Sequence, residues 1–270
     1  MPNRAQCQEY SSENNSTYIC IACGTSYESL ILVCDNCHNV ETIIEDESEM
    51  MSEPTERPRK RAKKACNIKV KTATKISTGR EAWDFALGGG LVRPSSILVP
   101  GPHGVGKSTS LLRILNHLGQ VFKKPVLYGC SEMTAESLKT FGARLNLEMH
   151  HLFINDSRHW EDMHDDIAEI KPVAIVWDSI HRYLVDDELG ELSLRKVVTG
   201  AIEMGQRYNA ISFLVSHVTK GNDFVGENSI GHDCDVVLWI RRAGPGMIAI
   251  ECTDKNRFAP TPLTATEKLT

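Results

Sequence analysis

Apolar residues recur along this chain in short continuous runs, separated by longer segments with helical periodicity. The short runs predict buried strands at 96–100, 125–132, 151–155, 172–178 and 211–218. Helical spacing predicts helices at 110–118, 134–145, 160–170 and 192–208. Strands that alternate with helices are typical of a parallel sheet with helices on both faces. The pattern therefore predicts an α/β domain over residues 76–258, with two late strands at 234–240 and 247–252 joined at 244–246.

A glycine-rich segment separates the strand at 96–100 from the helix at 110–118. Residues 101–109, here called the phosphate loop, fit the pattern of a nucleotide-binding P-loop. Such glycines let backbone N–H groups face phosphate oxygens at the start of a helix. Lys107 is predicted to neutralise the β- and γ-phosphates, and Ser108 to ligate Mg²⁺. The predicted nucleotide-binding residues are Gly101, Pro102, His103, Gly104, Val105, Gly106, Lys107, Ser108 and Thr109.

Two of the predicted strands end in a carboxylate, the first at Glu132 and the second at Asp178. In doubly wound sheets, ligands lie at the carboxyl ends of the strands. We therefore expect Glu132 to deprotonate the attacking water and Asp178 to hold Mg²⁺ together with Ser108. An early acid also stabilises a helix, so capping of the helix at 134–145 is the alternative role of Glu132.

The strand at 211–218 carries His217 near its end, where a polar group is placed to sense the γ-phosphate. A strand-end histidine with satisfied hydrogen bonds is the alternative. Residues 220–232 follow, with three glycines and few apolar residues, which predicts a mobile loop.

Four of the nine cysteines have the spacing of a metal site. Cys20 and Cys23 form one Cys-x-x-Cys pair, and Cys34 and Cys37 form the other. Four thiolates suit a tetrahedral, structural Zn²⁺ and leave no open position for catalysis. Disulfides or idle thiols are the alternative. The spacing predicts a four-cysteine zinc finger at 17–40 that needs its metal to fold.

The segments around this zinc finger are polar. Residues 1–16 are expected to form a flexible tail, and residues 259–270 a second one. Residues 41–75 begin acidic and turn basic at Arg57, which is typical of an exposed linker. The basic half suits contact with a nucleic-acid backbone, and a merely solvated linker is equally consistent.

Composition limits the classes of protein. A chain of 270 residues, 41% hydrophobic, is long enough for one α/β domain and a small appendage. No apolar run reaches the ~20 residues that span a bilayer, and the polar N-terminus lacks a signal-peptide core. We therefore expect a cytoplasmic protein with no membrane partner, and the odd cysteine count fits that compartment. The net charge of −5 excludes a protein that is basic throughout, but not a local basic patch.

Taken in order, these segments resemble the RadA (Sms) family of bacterial DNA-repair ATPases, relatives of RecA and DnaB. The resemblance covers residues 18–258. It rests on both cysteine pairs, Ser77-Thr-Gly79, Leu87-Gly-Gly-Gly-Leu91, the phosphate loop, Ser131-Glu132, Asp178-Ser-Ile180, His217-Val-Thr-Lys220 and Lys255-Asn-Arg-Phe258. It implies a RecA-like P-loop NTPase with an N-terminal four-cysteine zinc knuckle, which hydrolyses Mg-ATP while loading or branch-migrating single-stranded DNA.

The resemblance also assigns roles beyond the phosphate loop. Lys255 and Arg257 are expected to reach the nucleotide of a neighbouring subunit in a hexameric ring, as an arginine finger does. The segment 220–232 matches the family's DNA-contacting loop, so DNA-binding candidates are Lys220, Asn222 and Phe224. The expected catalytic set is Lys107, Glu132, Asp178, His217, Lys255 and Arg257.

The chain also departs from the family pattern. Ala259 stands where the family has glycine, and Gly231 stands where it has glutamate. The family usually continues into a Lon-protease-like domain, which we expect this chain to lack. Two other functions therefore compete with a DNA motor. One is a zinc-ribbon adaptor that regulates another recombination or replication ATPase, and the other is a DNA-independent signalling ATPase of the same fold.

Overall fold

The computed structural model describes residues 18–20, 22–23, 25–27, 29, 31, 33–38, 43–45, 64–67, 74–183, 194–218 and 230–269. The chain divides into two compact units, residues 1–70 and residues 71–270. No helix among the described residues combines the length and the apolar character that a membrane span requires.

The first unit contains a small antiparallel sheet. Its strands are β1 (Tyr18–Cys20), β2 (Ser26–Tyr27) and β3 (Ile43–Glu45), in the order β2-β1-β3, and a short 3₁₀ turn lies at Ala65–Asn67. β3 lies within the segment 41–75 that was expected to be a linker, so this expectation is wrong at residues 43–45. The sequence-distant pairing of β3 with β1 explains the error, because local charge carries no information about it.

The second unit alternates strands and helices. In chain order it contains α1 (Glu81–Ala86), β4 (Ser95–Gly101), α2 (Lys107–Phe122), β5 (Val126–Cys130), α3 (Ala135–Arg144), β6 (Leu152–Asn155), α4 (Trp160–Ile170), β7 (Ala174–Asp178), a 3₁₀ turn (Ile180–Arg182), α5 (Leu194–Arg207), β8 (Ile211–His217), α6 (Ile230–Asp233), β9 (Val236–Val237), β10 (Trp239–Gly244), β11 (Met247–Cys252) and β12 (Leu263–Lys268). The pattern of apolar runs and helical spacing thus predicted β4 to β8 and the helices α2 to α5, but not α1.

Six parallel strands form the main sheet, in the order β6-β5-β7-β8-β4-β9 among the described residues. The register aligns Gly101 with His217 on β4 and β8, and Cys130 with Asp178 on β5 and β7. The carboxyl ends of these four strands therefore meet at one edge of the sheet.

The core lies on both faces of this sheet, because alternate strand residues point to opposite sides. Ile97 and Val99 pack on one face against α1 and α2, and Leu98 packs on the other face. That second face is covered by α4 and α5 through residues such as Ile167 and Val198. Both faces are buried, which explains the continuous apolar runs of the strands.

A second sheet follows the parallel one, with the antiparallel order β10-β11-β12. The hairpin expected at 244–246 is confirmed, since β10 pairs with β11 and Gly246 has a φ of 65°. The expectation of a tail at 259–270 is wrong, because Leu263–Lys268 pairs along the whole length of β11. The long-range ion pair between Arg80 and Glu267 holds this strand against the start of α1.

Two further expectations need correction. The strand expected at 234–240 is divided into β9 and β10, with Leu238 between them. The end of the predicted mobile loop at 220–232 is helical, because α6 begins at Ile230, a buried residue. Residues 220–229 of that loop lie outside the described residues.

Candidate nucleotide site and cysteine cluster

The phosphate loop joins β4 to α2, as its glycine pattern predicts. Gly104 and Gly106 have φ angles of 68° and 108°, a backbone region that side chains with a Cβ rarely adopt. Gly101 is required for a different reason, because a Cβ there would lie 2.4 Å from the carbonyl oxygen of Ile240. The loop thus reaches the N-terminus of α2, where free N–H groups can bind anions.

Lys107, the first residue of α2, is folded back over the loop. Its Nζ donates to the carbonyl oxygens of Gly101 at 2.6 Å and Pro102 at 3.0 Å, and only 5% of the residue is exposed. Burial lowers the pKa of Lys107 to about 8, although the carboxylates of Asp178 and Glu132 oppose this shift. A buried ammonium at the start of a helix is arranged to bind an anion.

Asp178 closes β7 and lies next to Ser108. Its Oδ2 accepts hydrogen bonds from Ser108 Oγ and from Tyr128 Oη, both at 2.6 Å. Burial raises the pKa of Tyr128 well above its ordinary value, so the phenol stays protonated and donates. The paired hydroxyl and carboxylate oxygens are the hard ligands that Mg²⁺ prefers, so these residues fit the metal. The contribution of Tyr128 was missed, because the motif at 172–178 gives no sign of its cross-strand neighbour.

Glu132 follows β5 and points towards β7 and β8 rather than towards a helix. Its Oε1 lies 2.8 Å from both Ser179 Oγ and His217 Nε2, and 3.9 Å from Arg182 Nε. Burial acts to raise the pKa of Glu132, but the bonds from His217 and Ser179 outweigh it and hold the pKa below its usual value. The side chain is therefore an ionised carboxylate at neutral pH.

The alternative role of Glu132 as a helix cap is not what the structure shows. The N-terminus of α3 is capped by Thr134, whose side chain accepts from Ser137 N at 3.3 Å. Asp156 Oδ2 accepts from the N–H of Ala135 at 2.9 Å. Because Thr134 and Asp156 accept these N–H groups, the Glu132 carboxylate does not cap α3.

The ring of His217 lies between Glu132 and the phosphate loop. It stacks on His103 with ring centroids 3.7 Å apart and an angle of 15° between the planes. Its Nδ1 is buried and has no hydrogen-bond partner among the described residues. Burial lowers the pKa of His217, although the bond to Glu132 opposes this shift. The ring of His217 is thus fixed by its bond to Glu132 and by its stacking on His103.

These groups line one cavity of about 210 Å³, formed by residues 103–109 with Glu132, Asp178 and His217. A neighbouring cleft of about 400 Å³ opens between Arg158, His181 and Arg182 on the other side of Glu132. A larger groove of about 760 Å³ lies along α4 and α5 over Trp160 and Gly200, and contains none of the predicted site residues. The cavity of about 210 Å³ is the candidate nucleotide site, because charged side chains and the N–H groups of the phosphate loop converge there.

Lys255 and Arg257 lie elsewhere in the structure. Arg257 Nη1 is 2.8 Å from Asp235 Oδ1, and Asp235 Oδ2 accepts from the N–H of Ser96 at 2.9 Å. Ser96 lies near the start of β4, about 16 Å of strand before the phosphate loop. Lys255 Nζ donates to the carbonyl oxygen of His232. Within one chain, neither cation lines the nucleotide cavity described above.

The four predicted zinc cysteines come together in the first unit. Their sulfur atoms all lie within 4.8 Å of one another, with Cys20 and Cys37 at 3.7 Å and Cys23 and Cys34 at 3.5 Å. Tetrahedral Zn²⁺ with Zn–S bonds of ~2.3 Å requires sulfur separations of about 3.8 Å. A hydrogen bond from Thr25 lowers the pKa of the Cys23 thiol to about 6, which favours a thiolate. The cluster is compatible with zinc.

The DNA-binding candidates Lys220, Asn222 and Phe224 lie outside the described residues. The structure therefore leaves their assignment as a prediction.

Comparison with known proteins finds relatives among DNA repair proteins. The chain is 29% identical over 259 residues to the DNA repair protein RadA of Streptococcus pyogenes serotype M3, covering 93% of this chain and 56% of that protein. RadA of Campylobacter jejuni is 27% identical, covering 93% of this chain and 58% of that protein. RadA of Chlamydia pneumoniae is 26% identical, covering 93% and 56%. The chain thus spans little more than half the length of these curated relatives.

Structural comparison identifies the fold. The crystal structure of the RadB recombinase matches with a TM-score of 0.55 and 22% sequence identity, covering 72% of this chain and 96% of that one. No family model matches the chain. The RecA-like fold is confirmed, and so is the predicted resemblance to the RadA family over nearly the whole chain.

Proposed function

We propose that this protein is an ATPase that binds Mg-ATP at the phosphate loop and couples its hydrolysis to work on single-stranded DNA in repair or recombination. The observation that carries the proposal is the convergence, at one edge of the sheet, of a buried lysine, a serine–carboxylate pair and an ionised glutamate. Lys107, Ser108, Asp178 and Glu132 all line the same cavity. Each of these side chains has a distinct task in phosphoryl transfer.

The chemistry is hydrolysis of the terminal phosphoanhydride. Glu132 accepts a proton from a water molecule as the water oxygen forms a bond to the γ-phosphorus. The bond between that phosphorus and the bridging oxygen breaks, and its electron pair leaves with ADP. Lys107 and the N–H groups at the start of α2 stabilise the negative charge on the phosphates. His217 lines the same cavity, which supports its proposed role in sensing the γ-phosphate.

Magnesium has a defined place in this proposal. Ser108 and Asp178 would hold the ion, and Tyr128 would orient the Asp178 carboxylate by its hydrogen bond. When bound, Mg²⁺ neutralises part of the phosphate charge.

The role on DNA rests on similarity to proteins named DNA repair protein RadA and on the predicted loop residues Lys220, Asn222 and Phe224. We infer that the protein assembles as a ring, a hexamer in the family pattern, in which Lys255 and Arg257 act on a neighbour's nucleotide. Neither residue lines the cavity of its own chain, which supports action in trans. The four-cysteine zinc finger would serve as a folded contact module for DNA or for another recombination or replication protein.

ATP hydrolysis measured with and without single-stranded DNA tests the proposal. DNA should stimulate turnover of the native protein, and the stimulation should weaken steeply as salt rises, because phosphate contacts release counterions. Glu132→Gln should lower turnover about a hundredfold or more, because it removes the general base. Glu136→Gln is the matched control, since Glu136 is exposed on α3, four residues away, and does not line the cavity.

Three outcomes would separate the possibilities. Turnover that is indifferent to DNA but abolished by Glu132→Gln would favour the adaptor or signalling alternatives. Equal turnover of Glu132→Gln and Glu136→Gln would contradict the assignment of the base. Strong DNA stimulation that disappears only in Glu132→Gln is the expected result.

A further inference from the structure

The side chain of His103 has no role in the P-loop pattern, which uses the backbone at that position. In this protein the imidazole leaves the phosphate loop and lies flat on His217, with centroids 3.7 Å apart. His103 itself is exposed, so its ring is not part of the hydrophobic core. Stacking of two nearly parallel rings favours a fixed relative orientation.

His217 is held at its edge as well as on its face. Its Nε2 lies 2.8 Å from Glu132 Oε1, the oxygen that also accepts from Ser179 Oγ at 2.8 Å. A third histidine, His181, lies beside this pair, with its ring centroid 6.2 Å from that of His217. Its Nε2 is 3.0 Å from Ser216 Oγ. A continuous chain of contacts therefore joins the phosphate loop, through two rings, to the glutamate.

We propose that His103 is a positioning residue that couples occupancy of the phosphate loop to the orientation of Glu132 by way of His217. This inference rests on the proposed function and goes beyond it, because the P-loop pattern requires only the backbone at this position. When phosphates enter the loop and move it, the stacked rings move with it. His217 then shifts its bond to Glu132, and the carboxylate turns towards the attacking water.

A positioning role and a direct binding role differ in what they change. Loss of a contact to the nucleotide raises Kd for ATP, whereas loss of a positioning contact lowers kcat with little change in Kd. An aromatic ring without nitrogen preserves the stacking but not hydrogen bonding. His103→Ala and His103→Phe therefore separate the two roles, and truncation of an exposed side chain leaves the core intact.

The kinetic test compares these variants with His150→Ala, a change at an exposed histidine that does not line the cavity. We expect His103→Ala to lower kcat about tenfold with ATP affinity changed by less than about twofold. His103→Phe should recover most of this loss, to within about threefold of the native value. His150→Ala should match the native protein.

A second measurement does not require turnover. ADP fills the phosphate loop but lacks the γ-phosphate that would touch His217 directly. We expect ADP to shift the imidazole NMR signals of His217 in the native protein and in His103→Phe. The shift should be largely lost in His103→Ala, although that variant still binds ADP.

These results distinguish the inference from the function on which it rests. An unchanged kcat in His103→Ala, or an ADP-induced shift of His217 that survives this change, would overturn the coupling. An equal loss in His103→Ala and His103→Phe would overturn it too, because it would point to a polar contact instead of stacking. Failure of the proposed function would show separately, as undiminished turnover in Glu132→Gln.

Discussion

The cysteine cluster and the nucleotide pocket both arise from short motifs, yet different parts of the chain hold their geometry. Around the cluster, the buried residues among those described are Cys20 and Cys34, with Tyr18, Tyr27 and Ile31 packed beside them. The pocket instead lies at the carboxyl ends of the strands of a six-stranded sheet, which has an extensive apolar core on each face. The cluster should therefore need its ligand to fold, whereas the pocket should be folded before any ligand enters.

The largest expected effect is that of metal removal. Chelation of zinc should unfold the first unit completely, because a sheet with so small a core has little else to hold it. The second unit should keep its thermal unfolding transition. Backbone amide NMR spectra recorded before and after chelation would show which signals collapse.

Matched cysteine variants sharpen this prediction. Cys34→Ser removes a buried ligand of the cluster, whereas Cys66→Ser changes an exposed cysteine of the same unit outside it. Zinc analysis should give one ion per chain for the native protein and Cys66→Ser, and less for Cys34→Ser. A first unit that stays folded without metal would break the contrast between the two sites.

The next effect concerns the proposed contact of Arg257 with the nucleotide of a neighbouring subunit. If Arg257 completes a neighbour's site, Arg257→Ala should lower turnover about a thousandfold without loss of ATP binding. Arg242→Ala, at an exposed arginine of β10, serves as the control.

Mixing two inactive variants tests this action in trans. Arg257→Ala chains keep Glu132, and Glu132→Gln chains supply Arg257, so mixed assemblies should regain part of the activity. Mixtures that stay inactive, or an Arg257→Ala protein with full DNA-stimulated turnover, would exclude the trans role.

The smallest effect is the pH dependence of nucleotide binding. Burial gives Lys107 a pKa of about 8 in the protein without nucleotide, so its ammonium is present at pH 7 and lost as pH rises above 8. ATP affinity should therefore fall about tenfold between pH 7 and pH 9. Calorimetric titration at constant ionic strength measures this change in ATP affinity. Lys107→Arg should flatten the profile, because arginine does not titrate in this range.

Much of the pocket could be predicted because its residues stand at the ends of strands. Parallel strands bring their carboxyl ends to one edge, so Glu132, Asp178 and His217 converge as expected. Tyr128 and Ser179 could not be predicted, because their contacts depend on the register that sets Cys130 opposite Asp178. A single sequence contains no direct signal for that register.

The strand β12 was missed for a related reason. Its partly buried positions are Leu263, Ala265 and Glu267, an alternation too weak in apolar residues to predict a strand. Glu267 faces inward because it pairs with Arg80, which is far away in sequence. Local hydrophobicity cannot predict a charged residue at a partly buried position, because its ion-pair partner is distant in sequence.

One comparison tests whether a preformed pocket binds ATP and uses Glu132 as the general base. ATP affinity and single-turnover hydrolysis are measured together in the native protein and in Glu132→Gln. We predict that Glu132→Gln binds ATP with an affinity within about twofold of the native value, but cleaves it at least a hundredfold more slowly. Cleavage at the native rate, with ATP bound equally well by both proteins, would contradict this role of Glu132.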